Sequence, residues 1–184
     1  MQTIKAGDLM VPIAEYATVS EDVTLNEAVL ALEKAQAHVE QGREKHRAVL
    51  VLDSRGHVTG KIDQWAVLWA LEPRYKQIGD IRESSRYGFS PEFLRSMIDN
   101  FGLWQKPLEN LCQKAAGINV REIMHSLSPL EFIQEDASLD QALHQMVMGR
   151  FASLLVKKGA SVVGILRQSD VFHEICERMK ACRL

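Results

Sequence analysis

Val162-Val163-Gly164-Ile165-Leu166-Arg167-Gln168-Ser169-Asp170-Val171-Phe172 passes from strand-forming residues into a helical pattern, and its strand half occurs twice in the chain. Val58-Thr59-Gly60-Lys61-Ile62 matches Val162-Val163-Gly164-Ile165-Leu166 at a shift of 104 positions. Nearer the start of each copy the shift is 114, because the first copy carries ten extra residues. There Ile4, Met10, Glu21, Asp22, Leu25 and Ala28 meet Ile118, Met124, Glu135, Asp136, Leu139 and Ala142. A unit of about 60 residues has been used twice, and so small a unit cannot bury a generous core alone. The duplication predicts one α/β core, its two copies packed together about an approximate two-fold axis.

Each copy reads as strand, helix, strand, strand, helix. In the first, residues 16–19 are β-prone and Thr24-Leu-Asn-Glu27 is a capping box. Leu25, Ala28, Val29, Leu32 and Ala35 then recur at helical spacing. Ala48–Leu52 is a buried-type strand, Asp53-Ser-Arg-Gly56 a turn, and Asp63 a cap for a helix running towards Leu71. In the second copy, residues 131–134 form the first strand and Ser138-Leu-Asp-Gln141 repeats the box. Leu139, Ala142, Leu143 and Met146 line its helix, and residues 153–156 and 162–166 pair around Lys158-Gly159. A final helix over residues 168–180 is expected to bury Val171, Phe172, Ile175 and Met179. Each copy should supply a three-stranded sheet.

Residues 73–117 belong to neither copy. Pro73 and Gly79 break the preceding helix, while Ser90-Pro91-Glu92 starts another, with serine as cap and proline in the first turn. Phe93, Leu94, Met97, Ile98 and Phe101 form its apolar stripe, and a second amphipathic stretch covers residues 103–116. With Tyr75, Tyr87, Phe89 and Trp104, the insert holds too much aromatic surface to leave in water. Two helices packed on the core or on another subunit are expected.

Composition narrows the function classes. Of 184 residues, 46% are hydrophobic and 25% charged, which excludes wholesale disorder. A net charge of -2 leaves no electrostatic footprint for nucleic acid. No apolar run is long enough for a membrane span, and the first ten residues lack a signal-peptide core. Cys112, Cys176 and Cys182 form no even framework, so reduced thiols in a cytoplasmic protein are expected. Nucleophile elbow, phosphate-binding loop, dinucleotide fingerprint and metal-ligand pairs are all missing.

Two local patterns carry a resemblance. Asp8-Leu-Met10 and Glu122-Ile-Met124 resemble the opening D-I-M of cystathionine-β-synthase (CBS) repeats. The Gly60 and Gly164 strands, the second continuing to Asp170, resemble the family's closing strand-to-helix motif. The chain is thus similar to a tandem CBS-domain pair, two β-α-β-β-α units with pseudo-two-fold symmetry. The first repeat covers residues 1–72, a helical insert 73–117 and the second repeat 118–184.

The resemblance implies clefts that accept adenosine nucleotides. Asp170 stands where the family's ribose-binding carboxylate stands, and Arg167 replaces the usual hydroxyl residue, where it could hold a phosphate. Ser169, the loop containing Leu127, Ser128, Pro129 and Leu130, and Phe151 with Ser153 complete the expected ligand site. In the first repeat Ala66 replaces the carboxylate, so that cleft should be empty, altered or structural. Plainer roles stand beside these. An acid near a helix start is favourable without any ligand. Arg167 and Arg150 also read as solvated cations, Phe132 and Phe151 as core, and residues 40–47 as a solvated, mixed-charge loop. His125, His144 and His173 share no metal-binding spacing, and Trp65 and Trp69 form a packing or interface stripe.

The resemblance therefore implies a non-catalytic regulatory homodimer. It would bind AMP, ADP, ATP or S-adenosylmethionine, need no other cofactor and modulate an unknown protein partner. The alternatives are a ligand-free dimerisation module with degenerate clefts and a small enzyme acting through the insert.

Overall fold

The computed structural model describes residues 4–37, 45–72, 74–75, 89–102 and 109–181. In chain order these form α1 (Ala6–Leu9), β1 (Val11–Pro12), β2 (Thr18–Ser20), α2 (Leu25–Ala37), β3 (Ala48–Leu52), β4 (Val58–Asp63) and α3 (Gln64–Ala70). The insert contributes α4 (Pro91–Phe101) and α5 (Leu111–Ala116). Then come β5 (His125–Ser126), β6 (Phe132–Gln134), α6 (Leu139–Gly149), β7 (Ser153–Lys158), β8 (Ser161–Arg167) and α7 (Gln168–Ala181).

Local chemistry starts the helices where the sequence predicts. Thr24 N–H donates to Glu27 Oε2 at 2.7 Å, and Thr24 Oγ1 accepts from the Glu27 N–H. Asp63 Oδ1 accepts from the Ala66 N–H at 2.8 Å, and Ser138 and Ser90 cap α6 and α4 in the same manner. Each such cap contributes about 1 kcal/mol by satisfying a backbone donor that the helix cannot. Gly102 closes α4 in the left-handed region, at φ 58°.

The sheets differ from expectation. Each has four strands, in the orders β2-β3-β4-β5 and β6-β7-β8-β1. The fourth strand comes from the other repeat. Val11 pairs with Ile165 and Pro12 with Gly164, while His125 pairs with Lys61 and Ser126 with Gly60. These pairings are equivalent under the same two shifts that align the repeats, so the pseudo-two-fold axis relates them. The glycines permit the approach. A Cβ on Gly164 would lie 2.6 Å from Met10 Sδ, and one on Gly60 2.7 Å from Met124 Sδ.

The core follows the same exchange. Ala6 joins Ile133, Leu139, Ala142, Leu154 and Val171 beneath α6 and α7. Val120 and Ile123 join Leu25, Ala28, Val51, Ile62 and Ala66 beneath α2 and α3. Between the sheets, Val11, Tyr16, Leu50, Leu155 and Ile165 form a third cluster shared by both repeats. A fully buried leucine or isoleucine contributes about 1.5–3 kcal/mol, so each repeat depends on its partner's opening segment.

Other expectations need adjustment. In α7, Val171 is buried, but Phe172 and Met179 are 65% and 69% exposed, because a second apolar stripe lies beside the one facing the sheet. Val29 is likewise exposed. In α4 only Met97 of the predicted stripe is buried, and Phe93, Leu94, Ile98 and Phe101 remain exposed. Trp69 stacks on Tyr75 with ring centroids 4.4 Å apart, whereas Trp65 is exposed. Pro73, Gly79, Tyr87, Trp104, Cys182 and the first part of the 103–116 stretch lie outside the described residues.

Candidate functional site

The strand β8 delivers Arg167 to the head of α7, and the first turn of that helix carries Asp170. Arg167 Nε donates to Asp170 Oδ2 at 2.5 Å and Nη2 donates to Oδ1 at 2.6 Å. The result is a two-pronged, charge-assisted fork, the strong form of this interaction. Arg167 Nη1 lies 3.4 Å from His46 Nδ1. A guanidinium can only donate, so this contact requires an unprotonated, accepting Nδ1.

Burial of the imidazole, and then the positive charge of Arg167, hold His46 below its ordinary pKa. Tyr16 packs edge-on against the His46 ring, centroids 4.3 Å apart. Burial pushes its phenol up to about 12, against the opposing pull of Arg167 and of the backbone at Ala48 and Arg47. Arg167 therefore ties the second repeat to the first through His46 and Tyr16.

A cleft of about 830 Å³ opens beside this cluster. Residues 8–11 form one wall, Leu143, Met146 and Val147 of α6 another, and Arg167, Asp170 and the first turns of α7 the floor, with Arg47 at the side. Both repeats thus build it. Of the expected ligand-site residues, Arg167, Ser169 and Asp170 line this cleft.

The predicted loop does not join them. Pairing of β5 with β4 carries residues 125–130 to the edge of the first repeat's sheet, and the loop's place here is taken by residues 8–11. Leu127 packs on the central cluster, and Ser128 caps the short turn Pro129–Glu131. Leu130 is exposed, and its carbonyl accepts from Gln145 Nε2 at 2.5 Å. Phe151 packs against the core beneath α6 and α7, in keeping with its plainer role. Ser153 lies on β7 opposite Arg167, one strand away from the cleft floor.

The pseudo-symmetric place in the first repeat is chemically different. Asp63 is used as a helix cap and Ala66 is buried, so no carboxylate occupies the position matching Asp170. Glu131, 1% exposed, instead bonds Lys61, His125 and the Ser128 N–H. Burial raises the Glu131 pKa, but the bonds from Lys61, Ser128 and His125 outweigh it and hold the carboxyl below its usual range.

Sequence reasoning missed Arg47 on the cleft and His46 against Arg167. Their signal was position: His46 and Arg47 immediately precede the buried strand Ala48–Leu52, where a polar pair ends up at the sheet's end. Among the described residues, no group of three or more His, Cys, Asp or Glu is placed to hold a metal ion. Nor is any helix among them long and apolar enough to cross a membrane.

Comparison with known proteins places this geometry. The CBS domain family matches residues 120–177. The CBS-pair protein CBSX2 from Arabidopsis thaliana is similar in structure, with a TM-score of 0.61 at 17% identity over 97% of this chain and 99% of that one. CBSX2 in complex with AMP is similar at a TM-score of 0.58 and 19% identity, covering 94% of this chain and 97% of that one. The cytosolic domain of the Mg2+ channel MgtE in complex with ATP gives a TM-score of 0.55 at 19% identity, over 92% of this chain and 48% of that one. No curated protein matches the sequence. Residues 120–177 match the CBS domain family, and the chain has the fold of a tandem CBS-domain pair.

Proposed function

We propose that the chain is a non-catalytic regulatory module that binds an adenosine-type ligand in the cleft at the head of α7. The observation that carries this reading is the joint presence of Asp170 and Arg167 on a cleft walled by both repeats. A ribose diol suits a carboxylate, and a phosphate suits a guanidinium. The AMP-bound and ATP-bound structures of similar fold support the ligand class. A ligand touching both repeats favours one arrangement of them over another, to the extent of its differential affinity, and a protein partner reads the change. The expected setting is the cytoplasm.

Calorimetry with AMP, ADP, ATP, S-adenosylmethionine and 2′-deoxyadenosine monophosphate tests the reading. At least one ribonucleotide should bind below millimolar concentration. Loss of one diol hydroxyl removes a hydrogen bond to a charged group, so the deoxy compound should bind roughly ten-fold more weakly than AMP. If nothing in the set binds, the ligand reading gives way to the second one.

That second reading is a dimerisation and interaction module. It is favoured by the exposed Trp65 and Leu68 on α3 and the exposed Phe172 and Met179 on α7. A homodimer using these faces is compatible with both readings, and closed two-fold assemblies are the commonest kind.

A further inference from the structure

We propose that residues 4–9, which carry α1 across the second repeat, are a strap that opens and closes on the cleft. The equivalent residues 118–123 stay fixed on the first repeat. The opening stands without the nucleotide reading above, and closure by a ligand rests on it. The two segments share a pair of backbone bonds. Ala6 N–H donates to the Ala137 carbonyl at 2.8 Å, and Leu139 N–H donates to the Ile4 carbonyl at 2.9 Å. At the shift of 114, Val120 N–H donates to the Val23 carbonyl at 3.0 Å, and Leu25 N–H to the Ile118 carbonyl at 2.8 Å.

The side chains differ. Arg121 Nη2 reaches Glu21 Oε1 at 2.5 Å and Asp22 Oδ1 at 3.0 Å, and Asn119 Nδ2 donates to the Asp22 carbonyl at 3.3 Å. The counterparts of Arg121 and Asn119 are Gly7 and Lys5. Among the described residues no side chain of the strap bonds to the second repeat, and Asp8 turns back to the Lys5 N–H at 2.9 Å. Apolar burial falls the same way. Val120 and Ile123 are buried, where the strap offers the smaller Ala6 and a half-buried Leu9. The strap's one compensation is the bond from Gly7 N–H to the Glu135 carbonyl, at 2.9 Å. A single backbone bond offsets about one or two exposed ion pairs. The two carbons by which alanine is smaller than valine are by themselves worth roughly ten-fold in opening.

The strap has an anchored end and a free face. Val11, 7% exposed, is held between the sheets, and the ring of Pro12 fixes its own φ. Release of residues 4–9 therefore pivots there and leaves β1 on β8. Asp8 and Leu9 line the cleft, facing the first turns of α7. A ligand between them makes contacts that only the closed strap offers, and it shifts the population by that difference alone.

Leu139 and Leu25 are matched reporters, each the first residue of a helix and each losing its N–H partner when the segment across it lifts. Amide hydrogen exchange, followed by NMR on the intact protein without ligand, compares them. Leu139 should exchange roughly ten- to a hundred-fold faster than Leu25 after correction for intrinsic rates. Val120→Ala combined with Arg121→Gly copies the strap and should bring Leu25 to within about three-fold of Leu139. AMP at about ten times its Kd should slow Leu139 roughly ten-fold and leave Leu25 unchanged. Equal rates in the parent, a slower Leu139, or a Leu25 rate unmoved in the folded double variant overturns the proposal without touching the nucleotide reading. AMP that binds by calorimetry and leaves Leu139 unchanged overturns the closure. AMP that fails to bind overturns the nucleotide reading, and the strap is then decided by the unliganded rates.

Discussion

Lys61 and Glu131 form an ion pair between the two repeats, with Nζ 2.5 Å from Oε2, in surroundings that leave their side chains 11% and 1% exposed. Their counterparts under the repeat alignment are Ile165 and Ala17, both buried and apolar. One side of the pseudo-two-fold axis is thus held by charge, and the other by carbon.

Glu131→Ala should destabilise the protein by about 3–5 kcal/mol, because it leaves the Lys61 ammonium buried without a partner. Combining it with Lys61→Ile copies the opposite side and should recover most of the loss. Urea denaturation of the two variants checks both statements. A single variant as stable as the parent would show that water reaches Lys61 and that the pair contributes little.

Stability should fall on mild acidification through His46. Its folded pKa lies below the ordinary value because of burial and the nearby Arg167. The unfolded chain therefore takes up a proton, from about pH 6.5 downwards, that the folded protein resists. The contribution is complete above that pH and is lost as pH falls towards the folded pKa. Urea midpoints measured from pH 7.5 to 5.5 should decline in the parent and decline less in His46→Gln.

Gly164→Ala should cost about 1–3 kcal/mol, the usual range for overpacking. The added carbon would lie 2.6 Å from Met10 Sδ and 2.7 Å from the Val11 carbonyl oxygen, which pairing with β8 holds in place. Gly60→Ala should cost less, since its closest contact is the mobile end of Met124 and the His125 oxygen is 3.0 Å away. Thermal unfolding of the two variants gives the order directly. Equal midpoints would mean that the β1 edge can shift without cost.

The proposed homodimer should depend on the exposed stripe of α7. Sedimentation at micromolar concentration should give a dimer for the parent and a monomer for Phe172→Glu, with unfolding midpoints little changed because Phe172 lies outside the core. A parent that sediments as a monomer would remove the interface role of this stripe.

Local features of the fold were legible in the sequence. The Thr24 box, the Ser138 and Asp63 caps and the Gly56 turn are each encoded within a few residues, and the repeat fixed how many times the unit occurs. The edge strands were not legible, because Val11–Pro12 and His125–Ser126 are two residues long and carry no periodicity of their own. Their pairing is set by tertiary packing of the flanking methionines on Gly164 and Gly60. Missing that exchange misplaced the 125–130 loop and with it most of the expected ligand wall. Arg167 and Asp170 come together at the cleft because both sit in one short motif. Their mutual fork was not foreseen, although three-residue spacing at a helix start favours it. The Lys61–Glu131 pair had one visible trace: a lysine standing where the other repeat has isoleucine.

The crossed edge strands also bear on how the chain matures during synthesis. The first repeat's sheet lacks its β5 border until the insert and the opening of the second repeat have left the ribosome, so β4 is exposed to stray pairing in the interval. The β1 strand waits longer still, because its partner β8 lies near the opposite end of the chain. Pairings this distant are slow to close, and folding should finish only after translation is almost complete. Neither half released alone would have a closed sheet, so splitting the chain between the repeats should yield fragments that recover their shape by recombining rather than singly.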